Sequence, residues 1–281
     1  MTSTSNWLQG IRVVTIAINL PGPATAERLC QMGATVIKIE PPGGDQMEAL
    51  CKPFYDEMAA GQTIVRLDIK SEEGMAELHG YLETADLFIA SNRPAALKRL
   101  GLDWDTLHAH YPKLCFTEIV GFPAPRDHIP GHDLNYQAEL GLATPPFMPR
   151  ALIADLAGAE QAISTSIALL LARDRGQGPG HEQIALSTGV EQFARPYQHG
   201  LTQQNAVLGG LLPNYRMYET KQGWVAVGAL EPHFEKAFRE GLALDKLTIE
   251  SVQAKMLTRT ADEWEKWGES LDLPINAVQG A

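Results

Sequence analysis

Short apolar runs rich in β-branched residues recur every two to three dozen residues through the first part of the chain. They begin at Ile11, Thr35, Thr63, Asp86 and Leu114, and patterns with helical spacing fill the segments between them. Strands that are apolar on both faces and alternate with helices are typical of a mostly parallel sheet with right-handed crossovers. The sequence therefore predicts an α/β fold.

Three of the intervening segments carry clear helix signals. Ser71 is placed to cap a helix with an acidic first turn. A second helix is predicted over residues 23–32, followed by Gly33, where a left-handed residue commonly ends a helix. A third covers roughly 156–173, and because it is apolar on most faces we expect it to be buried; Asp155 lies at its start.

The pattern changes near residue 200. Segments 215–220 and 224–229 flank a short polar turn and predict an antiparallel hairpin. We therefore expect a large domain over 1–200, a linker over 201–213 and a smaller α+β domain over 214–281.

Composition and charge exclude several classes of protein. The chain is 44% hydrophobic and 20% charged, which indicates a folded protein rather than a disordered one. Its net charge of -11 argues against a surface that binds nucleic acid or anionic membrane. Its 3 cysteines have neither zinc-site spacing nor the even number of a disulfide framework. This spacing favours a protein with no metal site. Because the sequence shows neither a signal peptide nor a membrane-spanning segment, we expect a cytoplasmic protein.

Residues that can carry chemistry concentrate in a few places. The segment Gly131–Tyr136 combines an imidazole, a carboxylate, an amide and a phenol, and is either a reactive loop or a surface loop with turn-binding side chains. Asp155 either caps the long helix or is held ionised by the helix N-terminus as a base or nucleophile. Glu231, just before Pro232, either caps a helix or projects toward a cleft.

Several motifs together resemble those of the CaiB/BaiF, or class III, CoA-transferase family, which includes α-methylacyl-CoA racemases. The resemblance covers nearly the whole chain, and its most specific parts are GHDLNY and IADLAG. The other motifs are GATVIKIE with PPGGD, LDIK, the Arg-Pro pair with KRLGL, and VAVGALEP.

This resemblance implies a Rossmann-like large domain that binds CoA, a small domain, and two protomers interlocked as a homodimer, with a heteromeric partner subunit as an alternative. It implies an acyl-CoA substrate, so CoA belongs to the substrate and no prosthetic group is expected. Family members are usually several dozen residues longer, which implies that this sequence lacks most of the C-terminal return segment.

The racemase branch is the nearer match, because transferases of the family usually lack a histidine where His132 stands. It implies inversion of the α-carbon of a 2-methylacyl-CoA-type thioester, with His132 and Asp155 dividing the proton transfers. Glu231 would bond to His132 and fix its tautomer. In a class III CoA-transferase, Asp155 would instead form an aspartyl intermediate. A non-catalytic CoA-binding subunit is a third alternative.

The resemblance also implies a set of CoA contacts. Three positions depart from the family pattern: Pro41 replaces a common arginine, Ala60–Thr63 replaces a basic segment, and Ala90–Asn92 replaces Glu-Asn-Phe. We therefore expect fewer cations at the phosphates of CoA. The implied contacts are Lys38, Leu67, Asp68, Ile69, Lys70, Arg99, Gly131, Asp133, Leu134, Asn135 and Tyr136.

Overall fold

The computed structural model describes residues 6–280 and divides into two compact units. The first unit covers Met1–Phe193 and the second covers Ala194–Ala281. The predicted linker, 201–213, falls within the second unit, and the predicted domain limits stay a prediction.

A parallel sheet of six strands forms the centre of the first unit, in the order β3-β2-β1-β4-β5-β6, which confirms the predicted fold class. Its strands are β1 (Arg12–Thr15), β2 (Thr35–Glu40), β3 (Thr63–Arg66), β4 (Leu87–Ala90), β5 (Cys115–Val120) and β6 (His181–Ala185). The helices of this unit are α1 (Pro21–Gln31), α2 (Gln46–Leu50), α3 (Lys52–Ala59), α4 (Glu72–Leu82), α5 (Pro94–Leu100), α6 (Trp104–His110), α7 (Asp133–Glu139), α8 (Ile153–Ala172) and α9 (Leu186–Gly189).

The four inner strands, β2, β1, β4 and β5, are buried on both faces, which explains why they read as continuous apolar runs, whereas the edge strands β3 and β6 are partly exposed. One face packs with α1 and α8 around Val13, Leu29 and Ile163. The other face packs with α4 to α6 around Val14 and Phe88. The helix that follows Ser71 forms as predicted, because the Ser71 side chain accepts a hydrogen bond from the N–H of Gly74 at 3.0 Å.

The order of the strands reverses between β1 and β4, since β2 and β3 lie on one side of β1 and β4 to β6 on the other. The loops that leave the carboxyl ends of β1 and β4 therefore run in opposite directions and leave a crevice, the usual place for a ligand in such sheets. The two loops are joined where the N–H of Ile18 donates to Ser91 Oγ at 3.2 Å.

The chain passes into the second unit within α10 (Glu191–Gln198). This unit holds an antiparallel sheet of β7 (Tyr215–Glu219), β8 (Trp224–Gly228) and β9 (Ile275–Ala277), which confirms the predicted hairpin. Its further helices are α11 (Pro232–Gly241), α12 (Ile249–Met256) and α13 (Ala261–Ser270). Over residues 6–280, no helix has the length and apolar character needed to cross a bilayer.

Lys38, predicted to contact a CoA phosphate, is buried at the edge of the crevice instead, with 1% of its surface exposed. Its ammonium lies 2.9 Å from Glu40 Oε1 and 2.6 Å from Asp45 Oδ2, and both carboxylates are buried as well. Tyr55 donates to Glu40 at 2.8 Å, and the Asn19 N–H donates to Asp45 at 3.2 Å. Because two carboxylates enclose the ammonium, the structure gives Lys38 a role in the scaffold rather than at a phosphate.

We expect Lys38→Met to lower the free energy of unfolding by about 3–5 kcal/mol, because two buried carboxylates lose their counter-ion. Lys52→Met is a matched control, since Lys52 pairs with Asp56 on the surface, where an ion pair contributes about 0–1 kcal/mol. Urea unfolding followed by circular dichroism at neutral pH measures both values. Equal effects of the two substitutions would contradict this role of Lys38.

Candidate active site

Asp155 lies within the first turn of α8 and does not cap it. The helix begins at Ile153, earlier than predicted, and Leu152 takes the cap position without a side-chain hydrogen bond. The interpretation of Asp155 as the cap is therefore wrong, and its carboxylate is available for another role.

The side chain that caps α8 is Asp133, which comes from α7. Its Oδ1 accepts hydrogen bonds from the N–H groups of Ala154 at 2.7 Å and Asp155 at 3.3 Å. Its Oδ2 accepts from Gln137 Nε2 at 2.5 Å, and the residue is 4% exposed. Asp133 was predicted to contact CoA; in the structure its Oδ1 joins α7 to α8, and its Oδ2 bonds within α7.

The carboxyl group of Asp155 has an unusual proton affinity. Burial raises its pKa from 3.8 to about 6, the nearby Asp133 carboxylate adds to this rise, and His132 opposes it. A carboxyl with a pKa near 6 can both accept and release a proton close to neutral pH, as acid–base catalysis requires.

His132 occupies the residue before α7, so the two groups stand at the starts of two helices that Asp133 connects. Its backbone N–H donates to Asn135 Oδ1 at 3.0 Å, which fixes the first turn of α7. The imidazole lines a cavity of about 250 Å³ in the crevice between β1 and β4. This histidine is near enough to Asp155 to lower the pKa of that carboxyl, and their joint role in proton transfer stays a prediction.

Tyr136 lines this cavity with a buried ring, and the position of the ring requires a glycine at the start of the GHDLNY motif. Its ring is 1% exposed, and a Cβ at Gly131 would lie 2.7 Å from Tyr136 Cε1. A Cβ at Gly121 would collide with the hydroxyl. Burial, together with the Asp155 and Asp133 carboxylates, raises the pKa of Tyr136 to about 12, so the phenol stays protonated.

A second cavity, of about 620 Å³, lies beside the first at the carboxyl ends of β1 to β3. The structure gathers five predicted CoA contacts on its wall: Leu67, Asp68, Ile69, Lys70 and Arg99. The two cavities share Ile18 and Asn92. Of the other predicted contacts, Gly131 and Tyr136 line the smaller cavity, while Leu134 and Asn135 are exposed on α7.

Glu231 belongs to the second unit, where it precedes α11 without capping it through its side chain. Its bond to His132 stays a prediction. In the described part of the chain, no cluster of three or more His, Cys, Asp or Glu side chains is arranged to hold a metal ion.

Sequence reasoning missed Asn92 and the capping role of Asp133. Asn92, which lines both cavities, could have been found, because it lies two residues after β4 and so had to lie at the carboxyl edge of the sheet. The role of Asp133 had no local signal, since its partners lie 21 and 22 residues away.

Comparison with known proteins decides the family, because the model of CoA-transferase family III matches residues 8–280. The chain belongs to this family. The TM-score with a crystal structure of the hypothetical protein Rv3272 from Mycobacterium tuberculosis is 0.85. That likeness has 21% identity, covers 98% of this chain and 86% of the other, and shows the fold.

Relatives of this class III chain carry names of both reaction types. A CaiB/baiF CoA-transferase family protein of Caenorhabditis elegans, ZK892.4, is 30% identical over 92% of this chain and 82% of its own. Cinnamoyl-CoA:phenyllactate CoA-transferase of Clostridium sporogenes is 27% identical over 99% and 80%. Alpha-methylacyl-CoA racemase of Mus musculus is 30% identical over 87% and 67%.

We expect Asp155→Asn to stabilise the folded protein at neutral pH by up to about 3 kcal/mol. Because the pKa of Asp155 rises from 3.8 to about 6 on folding, the wild-type protein loses stability as pH rises through this interval, and the variant does not. The gain should be absent below about pH 4 and complete above about pH 6 to 7.

Urea unfolding at several pH values measures this difference. Asp105→Asn is the matched control, since Asp105 is an exposed first-turn carboxylate of α6 and its loss should cost about 0.3–1 kcal/mol. Destabilisation by Asp155→Asn at neutral pH would contradict the raised pKa.

Proposed function

We propose that this class III family member is an acyl-CoA racemase, which inverts the α-carbon of a 2-methylacyl-CoA-type thioester. The observation that carries the proposal is the placement of His132 and Asp155 at the starts of two helices that Asp133 joins, with His132 on the wall of the cavity and near enough to Asp155 to affect its pKa. The alpha-methylacyl-CoA racemase of Mus musculus, at 30% identity, supports the same assignment.

The chemistry needs one base and one acid. In one direction the Asp155 carboxylate takes the α-proton, the electron pair forms an enolate with the thioester carbonyl, and the His132 imidazolium returns a proton to the opposite face. The other enantiomer reacts with the roles exchanged. A carboxyl pKa of about 6 favours this exchange, because such a group can both accept and release a proton close to neutral pH.

The larger cavity suits the nucleotide half of the substrate. Its wall is mainly apolar, which fits a purine ring, and it presents the cations Lys70 and Arg99 to the phosphates. We further propose that the enzyme acts as a homodimer and that Glu231 fixes the tautomer of His132.

Transfer of CoA between carboxylic acids is the second candidate, favoured by the absence of a capping role for Asp155 and by the Clostridium sporogenes transferase. The Asp155 carboxylate would attack the thioester carbonyl and release CoA thiolate, giving a mixed anhydride. The thiolate would then attack the aspartyl carbonyl, releasing the free acid and leaving an aspartyl thioester.

A chiral 2-methylacyl-CoA in heavy water distinguishes these reactions. We expect loss of configuration together with uptake of one α-deuterium, measured by chiral chromatography and mass spectrometry. His132→Ala and Asp155→Asn should each slow the exchange by about 100-fold or more. His128→Ala is the matched control, because His128 is a second exposed histidine of the same loop whose ring contacts the Pro125 carbonyl.

Retained configuration without deuterium, while a known racemase reacts under the same conditions, would overturn the proposal. An adduct on Asp155, together with movement of CoA onto an added carboxylic acid, would establish the transferase in its place.

A further inference from the structure

Another cavity, of about 440 Å³, lies beside α5 and the first turn of α6. Two residues of the sheet also line it: Glu118 of β5 and His181 of β6. Glu118 shares a face of the sheet with Phe116, because side chains two residues apart in a strand point the same way, and Phe116 packs with α4 to α6. Asp155 belongs to α8, which packs against the opposite face. This cavity is therefore separate from the candidate active site.

Glu118 is a buried carboxylate with one unpaired oxygen. The residue is 5% exposed, and its Oε2 lies 3.1 Å from His181 Nε2. Its Oε1 is shielded from solvent and lacks a hydrogen-bond partner among residues 6–280. A buried charge is costly unless it is paired and hydrogen-bonded. A ligand in the cavity can supply the missing donor, because Glu118 forms part of the wall.

Stacked rings hold His181 beside this carboxylate. The imidazole stacks on Phe116, with 4.8 Å between ring centroids, and on Trp104, with 5.7 Å. The interplanar angles are 20° and 18°. Because both contacts restrict rotation of the imidazole, His181 stays at Oε2 and leaves Oε1 for a ligand.

The charges around the cavity favour a cation. Asp103 and Asp105, at the start of α6, add two carboxylates to that of Glu118, against the single ammonium of Lys98 on the described wall. An excess of one charge in a cleft attracts ligands of the opposite sign. Asp103 already accepts from the N–H and the hydroxyl of Thr106, so the unpaired acceptor of this group is Glu118 Oε1.

The rest of the wall limits which cation fits. Pro94, Leu97 and Trp104 present apolar groups, which suit a short hydrocarbon chain. The oxygen of Glu118 needs an N–H donor, since a carboxylate can only accept. A primary alkylammonium ion combines such donors with an apolar chain, whereas a quaternary ammonium ion has no N–H group.

We propose that this cavity binds a small primary alkylammonium ion, which donates to Glu118 Oε1 and lays its chain against Pro94, Leu97 and Trp104. His181 is the positioning residue of this site, because it holds the carboxylate and leaves one oxygen to the ligand. The inference is independent of the proposed racemase activity.

Calorimetric titration of the full chain with n-butylammonium chloride at neutral pH tests this inference. We expect saturable binding that is tighter than that of 1-butanol, which has no charge, and of tetramethylammonium, which has no N–H donor. Glu118→Gln should weaken the binding of butylammonium about ten- to hundredfold, the usual effect of losing a hydrogen bond to a charged group. Glu182→Gln is the matched control, because it changes an exposed carboxylate of the neighbouring strand.

Two further variants separate binding from damage to the fold. Lys98→Met removes the ammonium from the wall and should tighten the binding of butylammonium about two- to fivefold, a gain that a disrupted fold would not produce. Asp155→Asn should leave the affinity unchanged, because α8 packs on the opposite face of the sheet.

Nα-acetyl-lysine methylamide presents the same ammonium on a peptide backbone. We expect it to bind more weakly than butylammonium, because its amides would lose water against the apolar wall. Tighter binding would assign the site to a lysine of another protein and overturn the proposal of a small free amine.

Three other results would overturn the inference: absence of saturable binding by the wild-type protein, equal binding of butylammonium and 1-butanol, or equal affinities of Glu118→Gln and the wild-type protein. Weakening by Asp155→Asn without weakening by Glu118→Gln would place the amine in the crevice and overturn it as well.

Discussion

The central position of β1 is the constraint on which the rest of the first unit depends. This strand pairs in parallel with β2 on one side and with β4 on the other, so the connections after β1 and β4 diverge. Both cavities of the candidate site lie in the resulting crevice. The buried cluster of Lys38, Glu40 and Asp45 fixes one side of it, because Asp45 also holds the loop after β1.

The sheet could be predicted from the sequence because burial on both faces leaves a continuous apolar run in each of its inner strands. The helix after Ser71 and the hairpin of the second unit could also be predicted. Their signals are local, because the residues that cap the helix and form the turn lie within a few positions of each other. The pairing of His132 with Asp155 came from the family resemblance, and residue spacing alone left both as possible structural groups.

The errors concern contacts between distant parts of the chain. Lys38 looked like an available cation because nothing in its own strand shows that Asp45 closes over it. For Asp155 the sequence left a capping role open beside the catalytic one, because the side chain that caps α8, Asp133, belongs to another helix. In both cases the decisive contact is made by a carboxylate from a different element: Asp45 pairs with Lys38, and Asp133 caps α8. Sequence periodicity does not indicate such distant partners.

The attachment of Asp133 to the first amides of α8 has a consequence for motion. A carboxylate held by two backbone N–H groups and by Gln137 makes the starts of α7 and α8 move as one body. Gln137 also donates to the Ala151 carbonyl at 3.0 Å, so the end of the segment that connects the two helices is held to α7 as well. One buried carboxylate, and not the length of the connecting segment, therefore sets how far apart the starts of these two helices lie.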